Sequence, residues 1–114
     1  MSITDILNNI SSARLHSLAH TLVSIPSVTN HESAMSDYTA SFLQDCGYRV
    51  TRLPVPESGD TIVAEIGHGE RSFMLNFHLD TFDVFAGWHT DPFTPTVIGN
   101  RMYGLGAHDM KGGA

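Results

Sequence analysis

Apolar residues recur every three or four positions between residues 4 and 24, and Leu15, Leu18 and Leu22 mark one face of the pattern. This period is typical of an amphipathic helix. Pro26 restricts the preceding residue to extended backbone, so a helix cannot continue through it. We therefore predict one helix over residues 4–24, followed by a short connection.

A second helix is predicted to begin near Thr29 and Glu32, because a hydroxyl followed three residues later by a glutamate is the pattern of a capping box. Gly47 suits the left-handed position at which many helices end. Cys46, in the last turn, is expected to be a small buried apolar residue. The predicted apolar face consists of Met35, Tyr38, Phe42 and Cys46.

After Gly47 the pattern changes to short segments rich in β-branched and aromatic residues, which is typical of strands. Two helices combined with several strands predict an α/β fold with a mixed sheet. The predicted strands are residues 48–53, 61–66 and 72–78, with a later hairpin formed by residues 96–98 and 101–103 around Gly99 and Asn100.

The third predicted strand differs from the others because it is apolar on both faces. Residues 73–77 contain only one polar side chain, that of Asn76. Such a run indicates an interior strand of a covered sheet. The glycine-containing segment 67–70 could close a hairpin between this strand and the one before it.

Acidic residues outnumber basic residues by 12 to 6, which gives the 114-residue chain a formal net charge of −6. Proteins that follow nucleic-acid phosphates need clustered Lys and Arg, so no nucleic-acid partner is expected. No apolar run is long enough for a membrane span or a signal peptide, and a single cysteine cannot form an internal disulfide. The length suits one domain, and we expect a cytoplasmic protein.

The first candidate for chemistry is the pair His78 and Asp80, at the end of the predicted interior strand. Side chains two residues apart in an extended segment point the same way. A metal-binding imidazole often donates its other N–H to a carboxylate, which fixes its tautomer and orientation. This spacing suits that arrangement, although a histidine and an aspartate two apart also occur by chance.

The second candidate is the segment 104–113, in which four glycines surround Asp109 and Lys111. Glycines at this density allow a backbone to approach a ligand closely. A dinucleotide-binding loop does not fit, because Asp109 stands at the third glycine position, and a Walker loop does not fit, because Gly112 follows the lysine. Composition alone leaves open a flexible turn with a solvated acid.

Together the two candidates resemble the front part of the M20 family of metallopeptidases and amidohydrolases, which includes acetylornithine deacetylase and succinyl-diaminopimelate desuccinylase. The resemblance extends from residues 25–28 and Glu32, through the helix exit at Gly47, to the segment 76–113. Phe77 and Leu105 depart from residues common in the family, and neither position is a metal ligand.

The resemblance implies that His78 binds one of two zinc ions and that Asp109 bridges both. Asp80 receives the catalytic role of orienting the His78 imidazole. Cobalt or manganese could replace zinc at a site of nitrogen and oxygen ligands. Family members often have a non-proline cis peptide after the bridging aspartate, so a cis bond is expected between Asp109 and Met110.

The implied fold is the N-terminal portion of a three-layer αβα zinc-hydrolase catalytic domain, with residues 1–114 as a truncated part and the lid or dimerisation domain absent. The implied activity is zinc-dependent cleavage of an amide bond in N-acyl amino acids or short peptides. In the family a glutamate some tens of residues after Asp109 acts as general base, and further residues complete both metal sites. We therefore expect the isolated 114 residues to be inactive.

An alternative hypothesis is a natural short, non-catalytic binding or assembly module derived from the same family. Such a module would expose sheet surface and would be expected to form a homodimer or to bind a partner. Other histidines are weaker candidates for a site. His16 and His20 have helical spacing but no third ligand nearby, and His108 could lie at the mouth of the site.

Overall fold

The computed structural model describes residues 2–114 and contains both helices and strands over this range. The chain is therefore α/β, as predicted. The helices are α1 (Ile3–Asn8), α2 (Ser12–Ser24) and α3 (Ser33–Asp45), and the strands are β1 (Arg49–Leu53), β2 (Thr61–Glu65), β3 (Thr96–Ile98) and β4 (Arg101–Tyr103).

The prediction of one helix over residues 4–24 is wrong, because the chain forms α1 and α2 with a break between them. Ser11 has extended backbone, and its hydroxyl accepts a hydrogen bond from the Arg14 amide at 3.3 Å, so it caps a new helix. Asn9 caps the end of α1, and its side-chain amide donates to the Asp5 carbonyl at 2.8 Å. Polar caps thus interrupt a continuous apolar period.

The capping box predicted from Thr29 and Glu32 is also wrong. Helix α3 begins at Ser33, and no side chain caps its first amides. The Glu32 carboxylate accepts hydrogen bonds from the Asn30 amide at 2.9 Å and from the Ser58 hydroxyl. Glu32 therefore joins the start of α3 to the loop between the first two strands. The Thr29 hydroxyl contacts Asp80 and does not cap the helix.

The Glu32 carboxylate is partly buried, and desolvation alone would raise its pKa. Hydrogen bonds from the Ser58 hydroxyl and from backbone amides, including those of Asn30 and Gly59, outweigh desolvation and lower the pKa below its usual 4.5. The ionised form is therefore the one that this junction stabilises.

The buried apolar residues of the core belong to α2 and α3. Within α3, Tyr38 and Phe42 stack with their ring centroids 5.9 Å apart. Gly47 has a φ of +87°, as predicted for the helix end. Cys46 is exposed, so its predicted burial is wrong: it is the C-cap, after the last helical residue. The buried apolar residues are Leu22, Val23, Met35 and Ala40.

Strands β1 and β2 pair antiparallel, and α3 packs against both. Arg52 of β1 joins the two layers, since its guanidinium contacts Asp37 of α3 at 2.6 Å and Asp60 before β2 at 2.7 Å. Strands β3 and β4 form the predicted hairpin around Gly99 and Asn100. The predicted mixed sheet is wrong for residues 2–114, because these are two separate antiparallel pairs.

The predicted interior strand over residues 72–78 does not form in the described part of the chain. Its apolar side chains face solvent, with Phe73 88% exposed and Leu75 77% exposed. A strand needs hydrogen-bonding neighbours, and between residues 2 and 114 none lies beside this segment. The hairpin predicted at 67–70 is consequently absent from this range, and the nearest pairing is an isolated parallel bridge between Val28 and Thr81.

No helix within residues 2–114 combines the length and apolar character needed to cross a membrane.

Candidate functional site

The segment that carries His78 and Asp80 is held against the residues that follow α2. The Ser27 hydroxyl, which is fully buried, donates to the Leu79 carbonyl at 2.6 Å. The Thr81 amide donates to the Ser27 carbonyl at 2.9 Å, and the Thr29 amide donates to the Thr81 carbonyl at 3.0 Å. These alternating bonds are those of a short parallel pairing, so the backbone around Asp80 is fixed on one side.

The second part of the site is the glycine-rich loop 104–113, which is folded into successive turns. Gly106 has a φ of +79°, and a Cβ there would lie 2.6 Å from the Thr81 side chain, so only glycine allows this close approach. The peptide bond between Asp109 and Met110 is cis, as expected. The loop is therefore packed directly against the segment that carries His78.

Lys111 anchors this loop to the end of α2. Its side chain is 2% exposed, and its ammonium donates a hydrogen bond to the Ile25 carbonyl at 2.7 Å. Burial lowers the pKa of Lys111 to about 8, because desolvation disfavours the charged form.

His78, Asp80 and Asp109 are brought together by these contacts. The His78 Nε2 atom lies 3.0 Å from Asp109 Oδ1. On the other side of the ring, Nδ1 lies 3.2 Å from the Asp80 carbonyl oxygen and 3.3 Å from Asp80 Oδ1. The side chains of His78 and Asp109 are 49% and 64% exposed, so a solute can reach them. The imidazole therefore lies between two aspartates.

This arrangement changes the proton affinity of His78. Desolvation alone would lower its pKa, but the hydrogen bond to the Asp80 carbonyl and the contact with the Asp109 carboxylate outweigh desolvation. The pKa is therefore raised above its usual 6.5. With no cation bound, the protonated ring can donate from both nitrogens, to Asp80 and to Asp109.

The donor atoms fit zinc in kind, because zinc takes imidazole nitrogen and carboxylate oxygen as ligands. His78 Nε2 and Asp109 Oδ1 lie 3.0 Å apart on solvent-accessible side chains, so two potential ligand atoms converge. Over residues 2–114, however, no group of three or more His, Cys, Asp or Glu side chains is arranged so that all of them could hold one metal ion. The described chain thus supplies two of the about four ligands that zinc usually takes.

The remaining histidines stay outside this cluster. His16 and His20 are exposed on α2, and His20 lies near the Ser24 hydroxyl at 3.5 Å. His108 is exposed beside Asp109. Sequence reasoning missed Thr29, whose hydroxyl lies 2.8 Å from Asp80 Oδ2. Its position in a capping pattern concealed this contact, which joins residues 51 apart in sequence.

Comparison with curated proteins finds relatives that include a succinyl-diaminopimelate desuccinylase and acetylornithine deacetylases. The chain is 37% identical over 102 residues to succinyl-diaminopimelate desuccinylase from Rhodospirillum centenum, covering 84% of this chain and 26% of that protein. It is 36% identical over 105 residues to acetylornithine deacetylase from Edwardsiella ictaluri, covering 83% of this chain and 27% of that protein.

Acetylornithine deacetylase from Klebsiella pneumoniae is 36% identical over 101 residues, which cover 80% of this chain and 26% of that protein. The chain therefore spans about a quarter of the length of the curated relatives it matches. No protein-family model matches the chain.

Proposed function

Because the chain is homologous over about four-fifths of its length to enzymes of the M20 family, we propose that it is part of a zinc-dependent hydrolase that cleaves an amide bond. The proposed substrates are N-acyl amino acids or short peptides. The observation that carries the proposal is the convergence of His78 Nε2 and Asp109 Oδ1 at 3.0 Å, with Asp80 behind the imidazole. The relatives include a desuccinylase and deacetylases, which favours a deacylase.

In the proposed site, His78 and Asp109 hold the metal, and Asp80 is the residue that orients the His78 ring. Asp80 accepts a hydrogen bond from Nδ1–H, so Nε2 keeps a lone pair for the cation. The second carboxylate oxygen of Asp109 would serve a second ion, as the resemblance to the family implies. Bound zinc lowers the pKa of a water molecule and polarises the substrate carbonyl.

Zinc is the proposed metal, and cobalt or manganese is an alternative for the same ligands. We further propose that the complete catalytic domain has three αβα layers, in which residues 72–78 form an interior strand. Their exposed apolar side chains support this, because such a surface is ordinarily covered. The cytoplasm is the proposed location.

Metal binding by this chain tests the residue assignments. Calorimetric titration with Zn²⁺ should show binding that His78→Ala and Asp109→Asn each weaken by about tenfold or more, because each removes a ligand. His68→Ala is the matched control, since His68 is an exposed loop histidine away from this contact, and it should leave the affinity unchanged. Equal affinities for all four proteins would refute the proposed metal site.

We also propose that the isolated 114 residues do not catalyse hydrolysis, because two ligands hold a metal weakly and the family's general base has no counterpart in them. An assay with N-acetyl amino acids and added Zn²⁺ should show no turnover. Metal-dependent hydrolysis abolished by His78→Ala would refute the inactivity while supporting the metal site.

The exposed surface supports a second candidate, a non-catalytic module that associates with a second copy of itself. The chain exposes 8668 Å², whereas a compact monomer of 12.4 kDa exposes about 6,100 Å². Segment 72–78 would supply the contact. Sedimentation velocity should then show a dimer that Leu75→Asp dissociates and Ile3→Asp, at an equally exposed position, does not. A monomeric wild type would refute this candidate.

A further inference from the structure

Thr29 lies behind Asp80, on the side of the carboxylate away from His78. Its hydroxyl oxygen is 2.8 Å from Asp80 Oδ2 and 3.2 Å from the Thr81 carbonyl oxygen. A hydroxyl has one hydrogen to donate. The closer and charged acceptor is favoured, so the hydrogen bond goes to Asp80.

The Asp80 carboxylate therefore lies between the Thr29 hydroxyl and the His78 imidazole. With Oδ2 held by Thr29, Oδ1 is the atom that lies 3.3 Å from His78 Nδ1. The far side of the same ring presents Nε2 to Asp109 at 3.0 Å. Four side chains therefore form one chain of contacts, in the order Thr29, Asp80, His78 and Asp109.

The position of the Thr29 hydroxyl is set by backbone contacts that do not involve its side chain. The Thr29 amide donates to the Thr81 carbonyl at 3.0 Å, and the neighbouring Val28 pairs with Thr81 in a parallel bridge. Removing the hydroxyl alone should therefore leave the backbone in place. Valine has nearly the shape of threonine and is likewise β-branched, which makes Thr29→Val a specific probe.

We infer that Thr29 is a positioning residue that fixes the orientation of the Asp80 carboxylate and, through it, favours the Nδ1–H form of His78, which leaves Nε2 unprotonated for a metal. This inference rests on the function proposed above for the roles of His78 and Asp109. In this role Thr29 contacts neither substrate nor metal.

The tautomer of His78 tests the inference without metal or turnover. Long-range ¹H–¹⁵N correlation spectra of the chain with chelator, recorded where the ring is neutral, distinguish the Nδ1–H and Nε2–H forms. His78→Gln assigns the signals. The wild type and Thr29→Ser, which keeps the hydroxyl, should show the same ratio of the two forms. Thr29→Val should shift population toward Nε2–H.

Thr21→Val is the matched control, because the Thr21 hydroxyl donates to the Ser17 carbonyl within α2 at 3.0 Å. It should leave the His78 tautomer unchanged. Thr29→Ala supplies a second protein without the hydroxyl and should reproduce the effect of Thr29→Val. A wild-type tautomer ratio in both proteins would overturn the inference, as would an equal shift in Thr29→Ser.

Titration with Zn²⁺ provides a second measurement. Loss of an outer partner of a metal-binding histidine lowers affinity by about 10–100-fold. Thr29 acts one contact further away, so Thr29→Val should weaken Zn²⁺ binding by about threefold to tenfold, with Thr29→Ser close to wild type. A wild type that binds no Zn²⁺ would refute the proposed metal site in this chain, and the tautomer comparison would still decide the role of Thr29.

Discussion

Replacing Lys111 by methionine should remove a pH dependence of stability that the buried ammonium gives to the wild type. Burial lowers the pKa of Lys111 from its usual 10.5 to about 8. Between these values the unfolded chain binds more protons than the folded chain, so the free energy of unfolding rises with pH. Each unit of difference between the folded and unfolded pKa corresponds to about 1.4 kcal/mol, so the free energy of unfolding rises by about 3 kcal/mol in total.

Urea unfolding of the wild type and Lys111→Met from pH 7 to 11, with chelator present, measures this rise. Lys111 is the only lysine in the sequence, and groups common to both proteins cancel in the difference. The free energy of unfolding of the wild type minus that of Lys111→Met should increase by about 3 kcal/mol between pH 7 and 11. Arg101→Met removes an exposed cation and should leave the slope unchanged. Parallel curves for wild type and Lys111→Met would refute the reasoning.

Three further substitutions probe the contacts around the site. Ser27→Ala should lower the free energy of unfolding by about 1–3 kcal/mol, because the Leu79 carbonyl loses its buried donor; an unchanged urea midpoint would contradict this. Gly106→Ala should cost about 1–3 kcal/mol in thermal unfolding, whereas Gly99→Ala, which also has positive φ but open space for a Cβ, should cost less. Wild-type stability should fall as pH drops below the usual Glu32 pKa of 4.5 toward its lowered folded value, and Glu32→Gln should flatten that acid-side loss; identical acid profiles would rule out this contribution.

Local patterns predicted the elements that local interactions form. The hairpin around Gly99 and Asn100, the strands at Arg49–Leu53 and Thr61–Glu65, and the left-handed helix end at Gly47 all depend on residues close in sequence. Periodicity failed where a polar cap mattered more, because Ser11 begins a new helix inside an otherwise continuous apolar pattern.

Predictions that depend on contacts between residues distant in sequence were only partly correct. The apolar run at 72–78 has the composition of an interior strand, but composition cannot supply the neighbours that a strand requires, and its side chains stay exposed. Motif spacing selected His78, Asp80 and Asp109, which the structure brings together, yet their metal-binding roles remain predictions. The contact of Thr29 with Asp80 was not predicted, because the two residues lie 51 apart in sequence.

Residues 25–27, directly after α2, form hydrogen bonds with both parts of the site. These contacts affect the order of folding. Ile25 accepts the hydrogen bond from Lys111, 86 residues later, and Ser27 donates to Leu79, 52 residues later. Contacts between such distant residues require large loops to close and form slowly compared with local ones. During synthesis the helices and the first hairpin can form early, but the glycine-rich loop reaches its anchor only after residue 111 has emerged. The arrangement of His78 against Asp109 is therefore expected among the last features to form, and among the first to open in native-state hydrogen exchange.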